Sequence, residues 1–424
     1  MNPISRSLFP DHAAVTSDGV LTIGGVDATQ LAAEYGTPLF AYDEAHLRER
    51  CREAVSAFGD GAVYATKAFL CKAMARLAHD EGMRLDVATG GELAVARAAG
   101  VPAARLVFHG NNKSLAELRM ALEEGVGCLV IDSFDEIDRI ESLVGEELTP
   151  PDVLIRITPG VEAHTHEFVR TGQNDSKFGF TVSTGAASEA VARAEASPAL
   201  TLQGVHAHIG SQVFRGESYA EAVGVIAEFT GPDRFDEVSI GGGLGVAYVE
   251  GEEAPTITEW ANTIRAAATE HGLHSRISAE PGRAITALAA VTLYTAGTIK
   301  DIPGVRTYVA VDGGMSDNPR PVLYGSGYET FLPRAVDAER TREIRLVGKH
   351  CETGDVLVSK GWLPADVEVG DIVATPVTGA YGHSMGSNYN KVLRPAVVFV
   401  TDGDARLVVR RETYDDLMNT DVGP

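Results

Sequence analysis

Eight short apolar runs, each long enough for one buried strand and most followed by a helical pattern, constrain this chain more than any other feature. They fall at 62–66, 84–88, 105–109, 128–132, 152–158, 202–208, 236–240 and 275–280. Continuous apolar runs of this length between helices read as parallel strands buried on both faces. Residues 114–122 typify the intervening pattern, with Leu115, Leu118 and Leu122 at i, i+3 and i+7 on one helical face. Eight such βα units in about 240 residues predict an α/β TIM barrel. An extra helix over 44–57, introduced by Pro38-Leu39-Phe40-Ala41-Tyr42-Asp43, precedes it.

After Ala284 the rhythm changes to β-rich segments at 291–299, 307–311, 343–347, 355–358, 371–376 and 396–400. Their last hairpin is marked by Asp402-Gly403, where glycine supplies the positive φ of a tight turn. The expected division is therefore a barrel over 37–284 and a C-terminal all-β domain over 285–424. The first 36 residues carry Gly19-Val20-Leu21-Thr22-Ile23-Gly24 rather than a barrel unit and are expected to pack with the β domain. There is no internal repeat and no low-complexity segment.

Composition bounds the partners. The chain has 424 residues, 44% of them hydrophobic, with Lys plus Arg at 36 against Asp plus Glu at 59 and a net charge of −23. Such a surface repels phosphate backbones and anionic membranes, so neither nucleic acid nor a membrane is an expected partner. No run approaches the ~20 apolar residues of a membrane span, and Met1-Asn2-Pro3-Ile4-Ser5-Arg6 is not followed by a signal-like apolar core. The expected location is the cytoplasm. The four cysteines show no C-x-x-C pair, which suits a reducing compartment. Cys51, Cys71 and Cys128 fall in helical or strand patterns. Cys351 lies in the polar, glycine-flanked Gly348-Lys349-His350-Cys351-Glu352-Thr353-Gly354-Asp355, the surroundings a reactive thiol needs.

A barrel should place its chemistry at the carboxyl ends of its strands. Those ends carry Lys67, Asp86, His109, His208, Gly241-Gly242-Gly243 and Glu280-Pro281-Gly282-Arg283. Three glycines let backbone N–H groups approach an anion closely. A lysine, a phosphate site and a carboxylate on one barrel face are what pyridoxal 5'-phosphate requires. In this reading Lys67 forms the Schiff base, the glycines and Arg283 hold the phosphate end, and Glu280 keeps the pyridine nitrogen protonated.

Several motifs resemble the fold-type III pyridoxal-phosphate decarboxylases, nearly end to end. They are Tyr64-Ala65-Thr66-Lys67-Ala68, Asp86-Val87-Ala88-Thr89-Gly90-Gly91-Glu92-Leu93, His206-Ala207-His208-Ile209-Gly210-Ser211-Gln212, Gly241-Gly242-Gly243-Leu244-Gly245, Glu280-Pro281-Gly282-Arg283, Asp312-Gly313-Gly314-Met315, Cys351-Glu352-Thr353-Gly354-Asp355 and Gly379-Ala380-Tyr381. The resemblance implies that Lys67 carries the cofactor and that His208 stacks on its ring. It also implies that Ser211, Gly243, Arg283 and Tyr381 hold or flank the phosphate, and that Cys351 donates the proton. It implies a homodimer whose sites are shared, with the cysteine segment reaching in from the partner. The chain departs from the common pattern at Ala68-Phe69-Leu70-Cys71 and at Thr353; neither removes a reacting group.

Three other classes compete with this reading. A metal hydrolase could use His206 and His208, but the later strand ends carry glycines and Glu280-Arg283 rather than further His and Asp ligands. An alanine racemase-like barrel places arginine, not Glu280, at the pyridine nitrogen. A non-catalytic relative would lack the β domain, Lys67 or Cys351. Within the family, polyamine-type members have Cys-Asp-x-x-Asp where this chain has Cys351-Glu352-Thr353-Gly354-Asp355. Arg283, Arg320 and Tyr324 resemble a set that binds a distal carboxylate, with Glu352 the partner of a distal ammonium and Tyr381 beside them. Without the resemblance, Arg320 in Asp317-Asn318-Pro319-Arg320-Pro321 reads as a surface-loop arginine. The implied reaction is decarboxylation of meso-2,6-diaminopimelate to L-lysine, with an ornithine- or arginine-type decarboxylase as the alternative.

Overall fold

The computed structural model describes residues 2–146, 148–161 and 175–423. The chain forms two compact units. One comprises 50–245 and 254–284, the other 1–49, 246–253 and 285–424.

The first unit is the barrel. Its strands are Val63–Ala65, Arg84–Val87, Leu106–Phe108, Cys128–Ile131, Asp152–Thr158, Thr201–His206, Glu237–Ser239 and Arg276–Ser278. All pair in parallel, in sequence order. A parallel bridge between Ala62 and Ala279 joins the last strand to the first. There the Val63 N–H donates to the Ala279 carbonyl at 2.9 Å, and the Ala279 N–H to the Gly61 carbonyl at 2.9 Å. Each apolar run anticipated from the sequence is a strand, within two residues at either end. A two-residue strand, Phe180–Thr181, also pairs with Asp152–Thr158.

Val63, Val107, Cys128, Val130 and Leu154, from the first, third, fourth and fifth strands, pack as one buried cluster. Burial pushes the Cys128 thiol up to about 12, so it is an inert packing residue. The helix Leu115–Glu124 begins with a reciprocal cap between Ser114 and Glu117 and ends at Gly125 in the left-handed region. Leu118 and Leu122 bury, but Leu115 is 49% exposed. It occupies the first helical position, which overhangs the apolar stripe.

The second unit is built on a mixed sheet. Its strands run Val356–Leu363, Arg342–Val347, Arg306–Val311, Ala290–Ile302, Leu39–Asp43, Ala396–Thr401 and Asp404–Val409, with Ile372–Pro376 also pairing the central Ala290–Ile302. The five residues Leu39–Asp43, expected only as a lead-in to the following helix, are a fully buried strand. They lie antiparallel to Ala290–Leu293 and parallel to Ala396–Val400. A short unbroken apolar run does not declare its partners, which here come from distant sequence. The closing hairpin turns through Asp402 at φ 52° and Gly403 at φ 79°. Residues of the first segment join this unit's core, with Ile4, Phe9, Leu21 and Leu31 packed against Val291, Leu293 and Val398.

Candidate active site

In the barrel unit, the first strand stops at Ala65 and the chain makes one tight turn, Thr66–Ala68. Thr66 and Ala68 are buried while Lys67 between them is exposed. The Thr66 hydroxyl donates to the Asp86 carbonyl at 2.6 Å, and the Tyr64 hydroxyl to the Phe69 carbonyl at 2.7 Å, so the turn is tied to the second strand and to itself. Gly282 lies so close that a Cβ there would meet Ala65 at 2.9 Å. The motif glycine after Glu280 is thus required by packing against the Lys67 turn.

Gly241, Gly242 and Gly243 fill a similar need. A Cβ on Gly241 would stand 2.6 Å from the Ala207 carbonyl oxygen; one on Gly242 would collide with the Glu280 carbonyl and one on Gly243 with the Gly210 carbonyl. Gly241 and Gly243 also have φ of 66° and 103°, where a side chain is strained. The Gly242 N–H donates to His208 Nδ1 at 3.1 Å, which requires that nitrogen to be unprotonated. Burial, with the Lys67 and Arg156 cations, holds His208 well below its ordinary pKa, so it presents a neutral ring.

At the eighth strand end, Arg283 Nη2 donates to Ser211 Oγ at 2.8 Å. Glu280 is 7% exposed, and its Oε1 lies 3.0 Å from His206 Nε2, 3.1 Å from Ser239 Oγ and 3.4 Å from His109 Nε2. Burial alone would raise the carboxyl, but His206 and His109 outweigh it and hold Glu280 well below the usual carboxylate range. His109 is lowered by burial and raised by more through Asp86 and Glu280, leaving it above its ordinary value. His206 moves the other way, burial dominating. Asp86, in the second strand, is buried. The His206-x-His208 spacing suggests a metal couple. The structure instead groups His206 with His109 and Glu280, their possible ligand atoms all within 4.8 Å.

The other candidates belong to the second unit. Cys351 is exposed, in the loop between strands Arg342–Val347 and Val356–Leu363. The loop is pinned on both sides: the buried Asp355 carboxylate accepts from Met315 N at 2.7 Å and His350 N at 2.8 Å, and the Cys351 N–H donates to Asn390 Oδ1 at 3.2 Å. Glu352 in the same loop is exposed. Arg320 is 4% exposed, not the surface-loop residue its local sequence suggests. Its Nη1 donates to the Tyr328 hydroxyl at 2.6 Å, and its guanidinium carbon lies 4.2 Å from the centre of the Tyr248 ring. Tyr324, at the end of the short helix Arg320–Tyr324, and Tyr381, at φ 60°, are partly exposed. Ser239, Tyr248 and Tyr328 carry no sequence signal of their own; Asp355 closes the Cys351 motif, but its role as the loop's anchor is not readable there.

The barrel's residues fit pyridoxal phosphate: an exposed lysine on a braced turn, an arginine–hydroxyl pair, glycines that only bare backbone can occupy, and a buried carboxylate held as an anion. Two buried nitrogens, His109 Nε2 and His206 Nδ1, have no aligned hydrogen-bond partner among the described residues.

Residues 44–287 match the family model of the pyridoxal-dependent decarboxylases, pyridoxal binding domain. The chain belongs to this family. Pyridoxal phosphate is therefore its cofactor. Among curated members, the diaminopimelate decarboxylase of Mycobacterium tuberculosis is 47% identical, covering 99% of this chain and 98% of that protein. That of Bacillus subtilis is 47% identical over 95% of each chain. Among solved family members, the diaminopimelate decarboxylase of M. jannaschii in complex with L-lysine superposes with a TM-score of 0.90 at 32% identity, covering 98% of both chains. No helix among the described residues is long and apolar enough to cross a membrane.

Proposed function

We propose that this decarboxylase converts meso-2,6-diaminopimelate to L-lysine and CO2, the last step of lysine biosynthesis, and that it works in the cytoplasm. The observation that carries the substrate is Arg320. A guanidinium this buried, held by a tyrosine hydroxyl and an aromatic face with no carboxylate in ion-pair reach among the described residues, calls for an anion from the ligand. Diaminopimelate has a distal carboxylate; ornithine has only a distal ammonium, which a buried cation would repel.

Lys67 carries the cofactor, His208 stacks its neutral ring on it, and Glu280 as a carboxylate keeps the pyridine nitrogen protonated. Ser211, Gly241, Gly242, Gly243, Gly282 and Arg283 hold the phosphate end, with Asp86 and Tyr381 beside the cofactor. When bound, pyridoxal phosphate supplies the electron sink for the pair left as CO2 departs. Cys351 then delivers a proton to the substrate carbon. Arg320, Arg283, Tyr324 and Tyr381 orient the substrate's carboxylate, and Glu352 its distal ammonium.

The assembly is a two-fold homodimer in which each site takes Lys67 from one protomer and Cys351 from the other. Exposed apolar side chains at Val322 and Leu323, beside Arg320 in sequence, and at Tyr389, whose ring lies 5.4 Å from that of His350, support a partner on the second unit. A CO2-release assay offering meso-, LL- and DD-diaminopimelate, ornithine and arginine side by side tests the substrate. Turnover of the meso isomer above the rest is expected; preference for ornithine or arginine would overturn it.

A further inference from the structure

Around Glu280 the barrel has built more than a carboxylate. His206 is the last residue of the sixth strand and Ser239 the last of the seventh, and the two are register partners across that parallel pair. Both therefore reach one oxygen, Oε1, at 3.0 and 3.1 Å. His109 comes from the end of the third strand, where its own N–H is fixed to the Val87 carbonyl at 2.8 Å. Its ring meets that of His206 edge to face, centroids 4.9 Å apart, and its Nε2 stands 3.4 Å from the same Oε1 without aligned hydrogen-bond geometry. The other oxygen, Oε2, has one neighbour of this kind among the described residues, His206 Nε2 at 3.2 Å. The Glu280 backbone is itself tied to the Gly241 carbonyl at 2.8 Å. The carboxylate is thus held from three other strand ends, with one aligned hydrogen bond to each oxygen, from Ser239 to Oε1 and from His206 to Oε2.

We propose that His109 and His206 are positioning residues for Glu280: they fix its rotamer and supply the compensating hydrogen-bond and charge contacts that let it stay ionised in a buried site. This rests on the cofactor-facing role of Glu280 given above. The physical need is plain. An isolated carboxylate at this depth would take up a proton, and a neutral carboxyl does not hold a pyridine nitrogen protonated. His109, drawn upward by Asp86 and Glu280, supplies charge, while His206 supplies the aligned hydrogen bond. Arg156, His208 and Glu92 also act on this cluster, Arg156 through its charge on both histidines and Glu92 through its charge on His109.

The test uses apoenzyme reconstituted with pyridoxal phosphate labelled with 15N in the ring, read by 15N NMR without substrate. Wild type should give a pyridinium-like signal. His206→Phe and His109→Phe should each bind one cofactor per chain yet move the signal toward neutral pyridine, and kcat should fall about tenfold or more at little-changed KM, as for a lost hydrogen bond to a charged group. His206→Gln, which keeps a donor, should recover part of the signal. Ser239→Ala provides a smaller perturbation of the same carboxylate should either phenylalanine variant fail to fold, with a partial shift expected. A pyridinium signal unchanged in every cofactor-loaded histidine and serine variant would overturn the proposal, as would stoichiometric zinc held by these residues in the purified enzyme. Glu280→Gln separates the two readings: if it leaves the signal unchanged, the carboxylate's role is wrong; if it moves the signal and the histidine variants do not, only the positioning role is.

Discussion

The Asp355 carboxylate accepts the backbone N–H of Met315 at 2.7 Å and so fastens the Asp312-Gly313-Gly314-Met315 turn to the loop that presents Cys351. Its second oxygen accepts the His350 N–H at 2.8 Å. Both oxygens are acceptors, so even Asp355→Asn puts an amide donor against an N–H. Either Asp355→Asn or Asp355→Ala should cost about 2 kcal/mol of stability and lower kcat, because the proton donor's loop loses its anchor. Calorimetry and steady-state assays check this, with cofactor absorbance expected to stay unchanged.

Lys67→Ala should bind pyridoxal phosphate only non-covalently. Borohydride reduction followed by peptide mapping should label Lys67 in the wild type and nothing in the variant. A pyridoxyl group on any other lysine would move the assignment.

Arg320→Ala should lower kcat/KM for diaminopimelate by about 3 kcal/mol, near a hundredfold, since the substrate carboxylate would be left without its charged partner. Cofactor absorbance should not change. Full activity in the variant would place the carboxylate's partner elsewhere.

His383 sets a pH dependence of stability. Burial, with the Arg394 cation beside it, lowers its pKa from 6.5 to about 4. The unfolded chain therefore binds a proton between those values that the folded chain does not. Stability should fall as pH drops from about 6.5 to about 4 and level off below, by up to about 3 kcal/mol from this group. His383→Phe should flatten that part of a denaturant-melt series; an unchanged slope would mean the imidazole is not held neutral.

Mixing subunits tests the shared site. Lys67→Ala and Cys351→Ala homodimers should both be nearly inactive. In a heterodimer both lesions fall in one site and leave the other whole, so random reassembly should restore about a quarter of wild-type activity. No recovery after verified exchange would mean Cys351 acts within its own chain or is not the donor.

The eight barrel strands and the turns that carry Lys67, Gly241-Gly242-Gly243 and Glu280-Arg283 were legible in the sequence, because buried parallel strands are unbroken apolar runs and chemistry collects at their ends. Tyr64-Ala65-Thr66-Lys67 needs no distant partner to be read. What only the tertiary structure decided is which distant residues meet. Leu39–Asp43 is a strand because Ala290–Leu293 and Ala396–Val400 lie on either side of it. Arg320 is buried because Tyr248 and Tyr328 fold over it, although Asn318-Pro319-Arg320-Pro321 looks like a surface turn. His109, His206 and Ser239 surround Glu280 only once the barrel closes, since each comes from a different strand. Local periodicity reports how a segment buries itself; it holds no record of what a side chain touches across a closed sheet, and the charge states of Glu280 and its histidines are set by those contacts.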